Sequence, residues 1–97
     1  MTPEGVVKAK IKKLLKRYDL YVDMPVPYGY GKSSLDFVGC HQGRYFAIEA
    51  KAPGKQPTKL QQLTIGQIQR AGGMVFVISD QTGLNMLDAW LSLRGMG

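Results

Sequence analysis

The sequence predicts one α/β domain over residues 1–97, built on a mixed central sheet that is flanked by helices. Two observations carry this prediction. Short apolar runs at residues 33–40 and 44–52 surround a tight turn and predict an antiparallel strand pair. The step from the second run through a helical segment to the apolar run at residues 74–79 predicts a right-handed parallel crossover. The predicted order is helix, three strands, helix, strand and helix.

The first element is a helix close to residue 1. Thr2 is suited to cap it, Pro3 to its first position and Glu4 to the positive end of its dipole. Its apolar stripe follows helical spacing and consists of Val7, Ile11, Leu14, Leu15 and Tyr18. Six cations cover much of the remainder: Lys8, Lys10, Lys12, Lys13, Lys16 and Arg17. Lysine-rich outer faces are common on helices, but here no acids alternate with cations that repel one another.

A first strand is predicted at residues 20–26, where prolines end it, and a loop follows at residues 25–34. Tyr28, Tyr30 and Lys32 lie on this loop. Aromatic rings beside a cation stack on bases or line a backbone groove in single-strand binders. The alternative is that the two tyrosines only pin the loop to the body of the protein.

The second half of the chain predicts a helix capped by Thr58 and ended by Gly72 and Gly73. Its predicted buried arc consists of Leu60, Leu63, Ile68 and Ala71. The continuously apolar run at residues 74–79 predicts a central strand that is covered on both faces. A terminal amphipathic helix over residues 82–95 has as its apolar face Leu84, Leu87, Trp90 and Leu91.

The composition favours a polyanionic partner. The net charge is +6, which most simply indicates nucleic acid, with an anionic membrane surface as the alternative. The single cysteine, Cys40, rules out an internal disulfide and favours a reducing, cytoplasmic setting. The apolar run at residues 74–78 is too short to span a bilayer, and residues 1–10 contain no apolar stretch typical of a secretory signal.

The length of the turn between the two central strands decides which side chains share a face. If Gln42 and Gly43 form a two-residue turn, Asp36 lies directly opposite Glu49. Apolar side chains then form one face: Leu35, Phe37, Phe46, Ile48 and Ala50. The charged side chains of Asp36, Glu49 and Lys51 lie on the other. A four-residue loop would leave the two acids diagonal to each other, and a three-residue loop would separate them.

Two carboxylates opposed across a ladder, with Cβ atoms roughly 5 Å apart, repel each other. A divalent cation removes this conflict, and hard oxygen ligands completed by water suit Mg²⁺ or Mn²⁺. Lys51 lies on the same face as Asp36 and Glu49, where an ammonium can hold an attacking water or neutralise charge on a phosphorane-like transition state. The spacing D-x12-E-x-K therefore describes a site for phosphodiester hydrolysis. The alternative is a pair of edge-strand acids satisfied by Lys51 and nearby basic residues.

This order of elements, with an acid on the second strand and E-x-K on the third, resembles the PD-(D/E)xK nucleases. The finer resemblance is to the VRR-NUC family, the virus-type replication-repair nuclease domain found alone in phages and bacteria. It lies in SSLDF at residues 33–37 and in the block at residues 46–79, which contains the E-x-K segment, a T-x-x-Q helix start and a Gly-Gly ending before an apolar strand. The resemblance implies a restriction-endonuclease-like αβββαβ core.

The resemblance also implies roles for individual residues. Asp36 and Glu49 correspond to the two metal-binding acids, the carbonyl of Ala50 to a backbone metal ligand and Lys51 to the catalytic lysine. The family often has proline before the motif acid. Here that residue is Leu35, which suits the inner face and changes no chemical group of the site.

Two helical residues complete the implied site. Gln61 matches a catalytic glutamine on the helix after the E-x-K strand, and Glu4 matches an acid on the first helix that reaches the metal through water. Helical geometry places Gln61 at the edge of the buried arc, beside Ile65, while Gln62 points away. An ordinary boundary glutamine and an acid that favours the helix dipole are the alternatives for these two positions.

Together these features predict a metal-dependent DNA endonuclease of a bacterial or phage-infected cell. We expect it to select DNA structure, such as branches or junctions, rather than sequence, and to act as a homodimer without a small-molecule substrate. The residues expected to bind phosphates are Lys8, Lys12, Lys16, Lys32, Lys55 and Lys59. The alternatives are a non-catalytic nucleic-acid-binding module on a nuclease-like scaffold and a relative of the Holliday-junction resolvases or tRNA-processing nucleases.

Overall fold

The computed structural model describes residues 1–26 and 34–93, and the elements there follow the predicted order. They are α1 (Pro3–Leu15), β1 (Tyr21–Asp23), β2 (Phe37–His41), β3 (Arg44–Ala50), α2 (Lys59–Arg70), β4 (Met74–Ile78) and α3 (Gln81–Ser92). The fold is therefore mixed α/β. None of the helices in this part of the chain combines the length and the apolar character that crossing a membrane requires.

The four strands form one mixed sheet in the order β1-β2-β3-β4. β2 pairs antiparallel with both β1 and β3, whereas β3 pairs parallel with β4, which confirms that the connection through α2 joins two parallel strands as predicted. The prediction that β4 is a central strand is wrong, because it lies at an edge of the described sheet. Phe76 and Ile78 of β4 are buried on one face, whereas Val77 on the opposite face is 42% exposed, and Met74, at the start of the strand, is 39% exposed.

The hairpin between β2 and β3 has the predicted two-residue turn. Gln42 and Gly43 have φ angles of 51° and 78°, and positive values at both positions are characteristic of a type I′ turn. His41 therefore pairs with Arg44, and Phe37 pairs with Ile48 at the far end of the ladder. One residue beyond that pair, the register brings Asp36 level with Glu49.

The main core lies between one face of the sheet and helices α1 and α3. The predicted stripe of α1 is buried at Val7, Ile11, Leu14 and Leu15, and α3 buries its predicted face at Leu84, Leu87, Trp90 and Leu91. Tyr18 belongs to the predicted stripe but follows the end of α1. It packs on this core and donates a hydrogen bond to the Asp88 carboxylate on α3, which joins the two helices.

The predicted buried arc of α2 is wrong at Leu60, Leu63 and Ala71, and only Ile68 of this arc is partly buried. α2 has no fully buried residue, and Leu60 and Leu63 are 44% and 64% exposed. Ala71 lies beyond the end of the helix and is also exposed. Among the more shielded residues are Gln61, Ile65 and Ile68, which recur at helical spacing and include a polar side chain. The spacing of the apolar residues alone therefore predicts the wrong side of α2 as the buried one.

Candidate active site

Asp36 immediately precedes β2 and is tied to β3 through its side chain. Its Oδ2 atom accepts a hydrogen bond from the Ala50 N–H at 2.8 Å. The next amide, that of Lys51, donates to the Ile78 carbonyl on the β4 side at 2.9 Å. Because backbone polar groups alternate in direction along a strand, the N–H and carbonyl of Ala50 both face the side on which Asp36 lies. The structure thus brings together Asp36 and the peptide group of Ala50.

Glu49 is a buried carboxylate, with only 3% of the residue exposed. Its Oε2 atom accepts a hydrogen bond from Gln61 Nε2 at 2.8 Å and lies 3.4 Å from Lys51 Nζ. Its Oε1 atom is buried and has no hydrogen-bond partner among the described residues. Burial and the neighbouring charge of Asp36 raise the pKa of Glu49, while the charge and hydrogen bond of Lys51 and the backbone N–H of Asp36 oppose this rise. A buried oxygen without a partner is costly in a protein and is suited to bind a cation.

Lys51 follows β3 and remains close to the strand. Its side chain is only 11% exposed and its ammonium forms an ion pair with Glu49. A lysine in this position compensates part of the charge of the buried carboxylate. The predicted grouping of Asp36, Glu49 and Lys51 is therefore present in the structure.

Gln61 reaches Glu49 because the start of α2 fixes its side chain. The Thr58 hydroxyl accepts from the Gln61 N–H at 3.2 Å, and Gln61 Oε1 accepts from the Thr58 N–H at 2.9 Å. This reciprocal capping box leaves the Gln61 amide nitrogen free to donate to Glu49. Gln62 points elsewhere, as predicted, and donates to the Pro57 carbonyl at 3.0 Å.

Lys8 lies among the carboxylates. Its ammonium is 3.2 Å from Asp36 Oδ1 and 3.7 Å from Glu4 Oε2. Burial lowers the pKa of Lys8. The hydrogen bond and charge of Asp36, together with the charges of Glu4 and Glu49, outweigh this effect, so the pKa of Lys8 is raised above its ordinary value. The sequence grouped Lys8 with the phosphate-binding lysines. Two features of the sequence indicate where Lys8 lies: it follows Val7, which belongs to the buried stripe, and it lies one helical turn after Glu4.

Glu4 joins the cluster through Lys8, with which it forms an i,i+4 ion pair. The other predicted phosphate-binding lysines of the described residues lie outside the cluster and are exposed: Lys12, Lys16, Lys55 and Lys59. Lys32, Tyr28 and Tyr30 lie outside the described residues, and the predictions made for them stay predictions.

The oxygen atoms of the cluster fit a hard divalent cation. Glu49 Oε1 has no partner, and Asp36 Oδ1 is engaged only by the Lys8 ammonium in the described structure. Residues 1–26 and 34–93 contain no group of three or more His, Cys, Asp or Glu side chains arranged to hold a metal. A cation at this position would thus have two carboxylates, a backbone carbonyl and water, which is a donor set that Mg²⁺ accepts.

Comparison with known proteins yields no relative. No protein-family model matches the chain, and neither the curated proteins nor the solved structures contain a match.

Proposed function

We propose that the protein is a metal-dependent DNA endonuclease that hydrolyses phosphodiester bonds. The observation that carries this proposal is the environment of Glu49, a buried carboxylate with Lys51 and Gln61 at one oxygen and, within residues 1–26 and 34–93, no partner at the other. A purely structural ion pair gains nothing from a buried oxygen without a partner, whereas a metal site uses such an oxygen as a ligand. The order of elements and the E-x-K segment support the finer proposal of a restriction-endonuclease-like core and VRR-NUC membership.

The residues that would hold Mg²⁺ or Mn²⁺ are Asp36, Glu49 and the backbone carbonyl of Ala50, with Glu4 reaching the ion through water. The Ala50 N–H supports this assignment, because it engages Asp36 Oδ2 and leaves Oδ1 directed at the cluster. When bound, such an ion polarises the scissile phosphate and makes water a usable nucleophile near neutral pH.

Side chains of the protein would orient the attacking water and stabilise the transition state. Lys51 orients the attacking water and balances the negative charge that develops on the phosphate in the transition state. Its low exposure and its contact with Glu49 hold its ammonium at this position before substrate binds. Gln61 fixes the rotation of the Glu49 carboxylate through Oε2, so that Oε1 stays directed into the site. Its second amide hydrogen remains to orient the water.

The substrate class follows from charge. The chain carries a net charge of +6, and the exposed lysines Lys12, Lys16, Lys55 and Lys59 provide contacts to phosphates without a device for reading bases. Lys32 lies outside the described residues, and its contact with phosphates stays a prediction from the sequence. Binding would be strongly salt-dependent and selective for DNA structure, such as branched or junction DNA. A two-fold homodimer in the cytoplasm, acting on two strands, completes this proposal.

The test is cleavage of a panel of linear, nicked, flapped and four-way DNA in Mg²⁺, Mn²⁺ or EDTA. We expect cleavage of at least one structure with metal, none in EDTA, and a fall of about a hundredfold or more for Lys51→Ala. Cleavage that is unchanged in Lys51→Ala would reject the role of this lysine, and cleavage confined to an RNA control would reject the substrate. Binding without cleavage in every condition would indicate a non-catalytic nucleic-acid-binding module instead.

A further inference from the structure

The Lys8 ammonium occupies the oxygen of Asp36 that a cation would need. Asp36 Oδ2 is engaged by the Ala50 N–H at 2.8 Å, which leaves Oδ1 as the oxygen able to bind a metal. Lys8 Nζ lies 3.2 Å from this Oδ1. An ammonium and a divalent cation attract the same carboxylate oxygen and repel each other, so both cannot be held there at short distance.

We propose that Lys8 is a displaceable counter-ion of the metal site, which pairs with Asp36 in the metal-free protein and is transferred to Glu4 when a divalent cation binds. This inference rests on the proposed metal site. It makes Lys8 a counter-ion that balances the charge of Asp36 before the metal arrives and competes with the metal for Oδ1, in addition to the roles proposed for Lys51 and Gln61.

The two lysines of the cluster differ in their freedom to move. The side chain of Lys8 is 33% exposed, whereas that of Lys51 is 11% exposed and remains beside the buried Glu49. Lys8 extends from a helix on a flexible four-carbon stem, so its ammonium can be displaced without a change in the backbone. A cation that enters the cluster would therefore displace Lys8 rather than Lys51.

Glu4 provides the second position for the displaced ammonium. It lies one helical turn before Lys8, with its Oε2 atom already 3.7 Å from Lys8 Nζ. Transfer from Asp36 to Glu4 therefore needs only a small change in the lysine rotamer, and the ammonium keeps a carboxylate partner throughout. The cost of displacing Lys8 is lower than it would be if the ammonium lost its only partner.

Charge in the cluster favours this exchange. Asp36, Glu49 and Glu4 carry three negative charges when ionised, and Lys8 and Lys51 carry two positive ones. A divalent cation added to the unchanged cluster would face two nearby ammonium groups. Moving Lys8 away from Asp36 removes the closer repulsion at the oxygen where the metal binds, while the total charge stays the same.

A fixed structural ion pair would behave differently from a displaceable counter-ion. If Lys8 only stabilised the fold around Asp36, its removal would loosen the site and weaken metal binding together with stability. If Lys8 competes with the metal, its removal lowers the stability of the metal-free protein but tightens metal binding. The opposite signs of these two effects distinguish the two roles.

The experiment measures both quantities in Lys8→Met, with Lys12→Met as the matched control. Lys12 lies one turn further along α1 and is exposed, so the control removes the same charge from the same helix outside the carboxylate cluster. Thermal unfolding is recorded in EDTA, and Mn²⁺ affinity is measured by calorimetric titration without DNA. We expect Lys8→Met to lower the Tm in EDTA by about 3 °C. We expect the same variant to bind Mn²⁺ about tenfold more tightly than the wild type, with little change in Lys12→Met.

The outcomes separate this inference from the proposed function. Wild-type binding of Mn²⁺ together with unchanged or weaker binding by Lys8→Met would overturn the inference and leave the nuclease proposal standing. Equal tightening in Lys12→Met would also overturn it, because the effect would then come from net charge. Failure of wild type and both variants to bind Mn²⁺ would overturn the metal site and the inference together. Lys8→Arg keeps the charge, and we expect its affinity to return toward the wild-type value.

Discussion

Gln61 on α2 donates a hydrogen bond to Glu49 on β3 at 2.8 Å, and this contact occupies one oxygen of a buried carboxylate whose other oxygen has no partner among the described residues. The capping box at the start of α2 holds the same glutamine in place. A local helix-capping device thus also orients the candidate metal ligand, which links the folding of α2 to the formation of the site.

The first prediction concerns Gln61→Ala. This change removes the donor to Glu49 Oε2 and frees the carboxylate to rotate, so we expect Mn²⁺ affinity to fall about ten- to a hundredfold. The bond from the Thr58 N–H to the Gln61 side chain is lost as well, at a cost of about 1 kcal/mol in the free energy of unfolding, while the Thr58 hydroxyl keeps its bond to the backbone N–H of residue 61. The matched control is Gln62→Ala, whose side chain contacts the Pro57 carbonyl and not Glu49. Equal affinities for the two variants would contradict the role of Gln61.

The second prediction concerns the stability of the metal-free protein as a function of pH. Burial and Asp36 raise the pKa of Glu49 above its ordinary value of 4.5, so the folded protein holds this proton more tightly than the unfolded chain. The resulting stability is fully present below pH 4.5 and is lost as the pH rises through the raised pKa. Glu49→Gln removes this loss, because its amide is never ionised.

We therefore expect Glu49→Gln to be more stable than the wild type in EDTA at neutral pH. The difference should shrink as the pH falls toward 4.5. Chemical denaturation across this pH range measures it, and the same variant should lose Mn²⁺ binding. A variant that is less stable than the wild type at neutral pH in EDTA would show that the Glu49 charge is fully compensated by Lys51 and Gln61.

The third prediction separates two roles for Glu4. If it accepts the displaced Lys8, Glu4→Gln weakens Mn²⁺ binding in the wild-type background but has no further effect when Lys8→Met is already present. If it binds the metal through water, the same change weakens binding in both backgrounds. A double-mutant cycle measured by calorimetry distinguishes the two, and we expect a coupling of about 1 kcal/mol between Glu4 and Lys8.

The hairpin shows what the sequence was able to predict. Gly43 favours a two-residue turn, and the two-residue period of a strand then leaves one choice of face for every side chain. The pairing of Phe37 with Ile48 follows from this turn, as does the approach of Asp36 to Glu49. Local turn chemistry and strand period were sufficient here because both act over a few residues.

The orientation of α2 and the place of β4 could not be predicted in this way. Leu60 and Leu63 dominate the apolar pattern of α2, yet both are exposed, while Gln61 reaches Glu49 on the sheet and Ile65 is partly buried. A continuous apolar run such as β4 is equally compatible with a central strand and with an edge strand. These choices depend on contacts between elements that are distant in sequence, and so does the approach of Lys8 to Asp36.

Whether Asp36 and Glu49 hold a divalent cation is tested by adding Mn²⁺ to the metal-free protein and measuring its binding by electron paramagnetic resonance. The wild type should bind the ion, whereas Asp36→Asn and Glu49→Gln should each show no signal from protein-bound Mn²⁺. Asp19→Asn, which removes an exposed carboxylate, should retain it. We expect the two site variants to bind no Mn²⁺ and the control to bind it as the wild type does. Binding that survives both site substitutions, or a wild type that binds no ion, would show that Asp36 and Glu49 do not form a metal site.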